Sequence, residues 1–195
     1  MCGRWALSSF EVVARIANPP PSLLSRYTRK ERDFFFDYAE FVHRLINSEY
    51  VRENLRELTQ LEEIRVNREL DFRVMVFPAR PITGRPRSTL HGSYNQDAGQ
   101  ISLYPLKLPR EWLRREGANV FKTPWKELSE TQRKVMHEAS LSAISTLIHE
   151  VLHVKFENRG YSRYAEEAIV RKLERKYAQE WVQRMDNLVE PRPFD

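Results

Sequence analysis

Cysteine occurs once in this 195-residue chain, at Cys2. That excludes an intramolecular disulfide framework and leads us to expect a reducing, cytoplasmic location. Glycine is scarce, with six residues, and histidine numbers only five. No apolar run approaches the ~20 residues that a membrane-spanning helix needs, and no signal-peptide pattern opens the chain, so a soluble protein without a membrane partner is expected. Acid is outweighed by base: 27 Asp and Glu stand against 32 Lys and Arg, a net charge of +5. Such an excess admits acidic partners, nucleic acid included, but acids and bases are interleaved along most of the chain, the pattern of a mixed solvated surface. The exception is the segment 80–87, with Arg80, Arg85 and Arg87 and no acid, which reads as an exposed Pro/Gly loop able to touch phosphate. At 41% hydrophobic content the chain can bury one sizeable core.

What is present is a His-Glu-x-x-His core at His149, Glu150 and His153, inside the apolar stretch from Ser145 to Phe156. On a helix the two His lie one turn apart on one face, where both imidazoles can grip a single Zn²⁺. Leu147, Ile148, Val151, Leu152 and Val154 surround them, so the helix is expected to be buried nearly all round. Burying imidazole and carboxylate is costly without partners, and a metal supplies the reason. The competing reading is an ordinary core helix whose two His fall four apart. Glu150 lies about 100° round the helix from His149, poorly placed as a third ligand and well placed as a general base.

A catalytic zinc takes three protein ligands and keeps one position open. His43, His91 and His137 all precede the motif, which leaves a downstream carboxylate. The turn signal Glu157–Gly160 separates the motif from a second helical pattern, Tyr161 to Tyr177, extending toward Leu188. Ile169, Val170, Leu173 and Tyr177 form its apolar stripe. Glu166 falls near the centre of that stripe and is the expected ligand. Glu167 falls at its edge and stands in reserve, with a surface pair to Arg171 as its other reading; Glu174 is equally marginal.

These residues resemble the gluzincin class of metallopeptidases, in which a His-Glu-x-x-His helix is followed by a helix donating a Glu, and most closely its minigluzincin-like and ImmA/IrrE-like members, over roughly Thr89 to Tyr177. The resemblance implies a zinc-dependent endopeptidase acting on a peptide or protein, with Glu150 catalytic and His149, His153 and Glu166 on the metal. It also implies an edge strand, read here as Ile101–Tyr104, running beside the substrate. The chain lacks the Asn-Glu signature of the larger thermolysin-like enzymes. Tyr161, Arg163 and Tyr164 are the candidates for stabilising an oxyanion. Two rival readings stand beside it. A non-catalytic protein stapled by zinc would bind nucleic acid or a protein partner through its basic surface. Residues 1–7 resemble the opening of SRAP-type proteins, in which a residue placed like Cys2 would crosslink abasic DNA, but the match stops after about eight residues.

The expected architecture is α+β: a zincin-like domain over 67–195, with a small antiparallel sheet on the site helix, preceded by a helical segment over 1–66, the two being one domain by default. Helices are expected over Thr28–Ile46, Ser48–Leu61 and Ser129–Phe156, the first and last opened by capping boxes and the last either one long helix or two with a bend. The stretch Asn18–Ser22 reads as a stiff non-helical connector, Asp71–Phe77 as a strand, and Thr89–Tyr94 with Gln100–Tyr104 as a hairpin. A short helix is expected at Glu111–Arg115. Residues from Glu190 onward read as an extended tail able to fold over a cleft. His43 and His137 read as surface residues.

Overall fold

The computed structural model describes residues 12–18, 21–25, 27–66, 68–76, 80–82, 85–104, 118–157 and 159–186. Cys2, Glu111–Arg115 and the tail from Glu190 lie outside them. The strands are β1 (Ala14–Ala17), β2 (Asp71–Met75), β3 (Arg80–Ile82), β4 (Arg85–Leu90), β5 (Gly92–Asn95) and β6 (Gln100–Leu103). The helices are α1 (Pro21–Leu24), α2 (Arg29–Asn47), α3 (Glu49–Leu61), α4 (Glu130–Lys155) and α5 (Arg163–Asp186), with 3-10 turns at Ala118–Lys122 and Trp125–Glu127.

The helices begin where local chemistry tells them to. Thr28 and Ser129 each accept from the backbone N–H three residues on, at 3.3 and 3.2 Å, while the Glu31 and Gln132 side chains accept from the cap N–H groups at 2.8 and 2.9 Å. Ser48 caps α3 through the N–H of Val51 at 3.3 Å. Each such cap contributes about 1 kcal/mol. With no Pro or Gly between its ends, α4 runs unbroken for 26 residues. In the stretch expected to be non-helical, Pro21 instead opens the single turn α1, a position where its missing N–H costs nothing.

The fold is α+β, and its four-stranded sheet, ordered β1-β2-β6-β5, is mixed rather than antiparallel as expected. In this sheet only β5 and β6 pair antiparallel, as the hairpin pattern required, although Thr89 and Leu90 of the expected strand belong to β4 and pair with β3; β1, β2 and β6 are parallel. The cause is connectivity. Helices α1 to α3 form a crossover between β1 and β2, and a crossover returns the next strand in the same direction. A second correction follows from the order: β6, which holds Ile101, is bonded on both sides, so the edges are β1 and β5, and the one beside β6 is β5. The basic segment 80–87 is likewise not a loop but most of an antiparallel ribbon, β3 with β4.

Phe72, Val74, Ile101 and Leu103 point to one face of the sheet, where α2 and α4 lie side by side. Phe34, Tyr38 and Phe41 of α2 pack on Phe121 at centroid distances of 5.0 to 5.7 Å, as expected for a core stripe. Helix α5 packs against α4 with Trp181 fully buried, and Tyr50 of α3 donates to the Trp181 carbonyl at 2.5 Å. One continuous core holds residues from both sides of position 66. No helix among the described residues is long and apolar enough to cross a membrane.

Candidate metal centre

Helix α4 brings His149 and His153 together as their spacing demands. Their ring centroids are 4.8 Å apart and their Nε2 atoms 3.1 Å apart. Gly160, with φ of 70°, lies in the turn that follows and takes a backbone conformation that suits glycine. The chain then enters α5, whose first turn is capped by Ser162 accepting from the N–H of Ala165 at 3.3 Å. Helix α5 lies along α4 and presents three glutamates to the two imidazoles.

Each glutamate meets a different atom. Glu166 bonds His153 Nδ1 at 2.5 Å, and Glu174 bonds His149 Nδ1 at 2.8 Å while accepting from the Ser145 hydroxyl. Glu167 faces the other side of both rings, 3.7 Å from His153 Nε2 and 3.9 Å from His149 Nε2. The structure therefore groups His149, His153 and Glu167, whereas the expected ligand Glu166 sits behind a ring. Adjacent residues diverge by about 100° on a helix, so one can face the metal side while its neighbour supports an imidazole from behind.

This geometry fits a cation. Carboxylates on the two Nδ1 atoms favour a proton there, and the Nε2 atoms face one another at 3.1 Å, close enough to share a proton or to flank a cation. His149, His153 and Glu167 each offer one ligand atom within 4.8 Å of the other two, a spacing that an ion with bonds of ~2.1 Å can gather by a small closing of the side chains. Glu150, Glu166, Glu167 and Glu174 surround the two imidazoles, and Arg171 partners Glu167 at 3.4 Å. The Glu167 side chain keeps 30% of its surface exposed, so the centre is open to solvent on that side.

Glu150 is buried beside this cluster at 5% exposure. Burial, reinforced by the charges of Glu167 and Glu174 and opposed by His149, pushes its pKa up to about 7. Burial alone would lower the pKa of His149, but its bond to Glu174 and the surrounding carboxylates outweigh that and leave it raised. The space for Glu150 comes from Gly92 on the edge strand. A Cβ there would stand 2.7 Å from Thr146 Cγ2 and 2.8 Å from Glu150 Cγ, and closer still to a Glu150 carboxylate oxygen.

The remaining candidates lie elsewhere. Tyr161 packs edge-on against Phe156 at 5.3 Å, Tyr164 is 87% exposed, and neither they nor Arg163 bond to the cluster among the described residues. His137 pairs with Asp186 at 2.7 Å, and His43 is half-buried on α2. Sequence reasoning left out Ser145 and Gly92 and gave Glu174 no role. The seven-residue spacing of Glu167 and Glu174, two turns on one helix face, was the available signal for Glu174; nothing local marked Gly92. Comparison of the chain with protein-family models, curated proteins and solved structures gives no match.

Proposed function

We propose that the chain is a metal-dependent peptidase of zincin-like design, with His149, His153 and Glu167 holding Zn²⁺ and Glu150 as general base. The observation that carries this reading is the convergence of two Nε2 atoms and the Glu167 carboxylate beside a buried glutamate from the same helix as the two His. A closed four-ligand structural site needs neither that extra carboxylate nor a solvent-facing side.

When bound, Zn²⁺ would lower the pKa of a water and polarise a scissile carbonyl. Glu150 accepts the proton of the attacking water on its carboxylate and passes it to the leaving amine nitrogen. Its burial keeps bulk water from competing for that proton. Glu166 and Glu174 hold the two rings in the tautomer that presents Nε2. Strand β5 ends the sheet among the described residues, and an extended peptide that paired with its outer backbone groups would lie beside Glu150.

The test is metal analysis beside hydrolysis of an unfolded protein substrate. Wild type should carry one zinc per chain. Glu150→Gln should keep that metal and lose at least about 100-fold in turnover, the usual scale for a general base. A wild-type protein that binds no metal, or a Glu150→Gln variant that cleaves at the wild-type rate, overturns the reading.

A further inference from the structure

Helix α5 sorts its charges by face. Glu166, Glu167 and Glu174 are half-buried and turned onto the imidazoles, whereas Arg171, Lys172, Arg175 and Lys176 are exposed. Arg159 and Arg163 add two exposed cations where the helix begins, and between residues 159 and 176 no acid is exposed. Glu180, the next exposed acid, pairs with Arg184 at 3.2 Å. At about 100° per residue, Tyr164, Arg171, Lys172, Arg175, Lys176 and Gln179 fall on one solvent-facing ridge. Arg171 is tied to Glu167 and Lys176 stands over the Tyr177 ring, but Arg159, Arg163, Lys172 and Arg175 have no ion-pair partner among the described residues. Tyr164 is 87% exposed and makes no ring contact or hydrogen bond there.

We propose that this ridge binds the phosphate backbone of single-stranded nucleic acid, with Tyr164 as a stacking platform for a base. From Tyr164 to Lys176 the ridge runs about 18 Å along the helix, at 1.5 Å per residue, a length matched to an extended polyanion rather than to one or two acidic side chains. Guanidinium forks suit phosphate oxygens. An exposed ring between cations is the element that single-strand binding adds to charge, since every base offers a π-face. An acidic polypeptide would leave Tyr164 without a role. The inference does not rest on the peptidase reading: among the described residues Lys172 and Arg175 make no ion pair with the carboxylates of the metal centre, and of the ridge only Arg171 pairs with one, Glu167.

Fluorescence anisotropy with a labelled single-stranded oligonucleotide and the metal-loaded full chain tests it. With four phosphates neutralised and a slope of roughly −0.7 per phosphate, affinity should fall about fifty-fold between about 50 and 200 mM salt. The double variant Lys172→Glu/Arg175→Glu should weaken binding more than about ten-fold and flatten the slope by about 1.4. Tyr164→Ala should weaken it at least about five-fold. A charge-matched control on exposed lysines elsewhere, Lys30→Glu/Lys126→Glu, should stay close to wild type. Zinc content and helical circular dichroism, read on the same samples, should not change. Absence of binding at low salt, equal losses in the ridge and control variants, or equally tight binding of a duplex or of polyglutamate would each overturn the proposal.

Discussion

Gly92 and Glu150 come from segments 58 positions apart, yet the glutamate occupies the space that a Cβ at position 92 would take. The glycine faces the core row of the sheet opposite Leu103, where a larger side chain would be the ordinary choice, and the glutamate carboxylate fills the space it leaves. Gly92→Ala should therefore displace either the strand or the carboxylate. We expect a destabilisation of about 1–3 kcal/mol, the range for an overpacked core, in urea unfolding. Turnover should fall at least ten-fold on the reasoning that a misplacement of ~1 Å costs about 100-fold, while zinc content stays at the wild-type level. Full activity with unchanged stability would mean that the edge strand does not set the position of Glu150. Nothing in the sequence around Gly92 distinguishes this glycine from any other, because its constraint comes from a distant helix.

Helix α5 carries the question of which glutamate does what. Of the apolar stripe read from spacing, Val170 and Tyr177 are buried and Leu173 packs on the core, whereas Ile169 is exposed; the prospect that an acid near the stripe would reach the two His was legible with it. The choice between Glu166 and Glu167 was not, because it depends on how α5 is rotated against α4. The observed rotation puts Glu167 toward both Nε2 atoms and Glu166 and Glu174 behind the rings. Chelator-competition titrations separate these roles. Glu166→Gln and Glu174→Gln should each weaken zinc binding by about 10- to 100-fold, the usual cost of losing a carboxylate behind a ligating imidazole. Glu167→Gln should weaken it further, since on the proposed reading it removes a ligand outright. The reverse order for Glu166 and Glu167 would exchange their assignments. The helical limits themselves needed no such information: Thr28, Ser48 and Ser129 mark starts through bonds that reach only three residues.

Across the whole molecule, the N-terminal strand joins the sheet through pairing that skips the two long helices α2 and α3. On the solvent face of the sheet Asp71 of β2 accepts from Arg15 of β1 at 2.9 and 3.0 Å and from Arg73 at 2.7 Å. The hydrogen bond from Arg15 foremost, with Arg73, holds the Asp71 carboxyl down at about 2 against an ordinary value of 3.8. A carboxylate depressed on folding contributes stability that is fully present above its unfolded pKa and disappears as pH falls through the folded one, here between about pH 4 and pH 2. Because a third of the side chain is exposed, screening trims the effect to about 1 kcal/mol. Wild type should therefore lose about 1 kcal/mol more than Asp71→Asn when urea unfolding is compared at pH 6 and near pH 2. Equal losses in the two proteins would show that this cluster does not fasten β1.

By itself the sequence determined what local forces control: the two long helices α4 and α5, the capped starts, the hairpin of β5 and β6, and two imidazoles one turn apart. Periodicities of 3.6 and 2 residues, and bonds spanning three or four positions, are written into adjacent residues. Only the tertiary structure decided that β1 runs parallel to β2, that β5 rather than β6 is an edge, and that Glu167 rather than Glu166 faces the two Nε2 atoms. It alone revealed that a glycine makes room for Glu150. Each of those outcomes turns on the relative rotation or order of elements far apart in the chain, settled by packing one core rather than by any residue's neighbours.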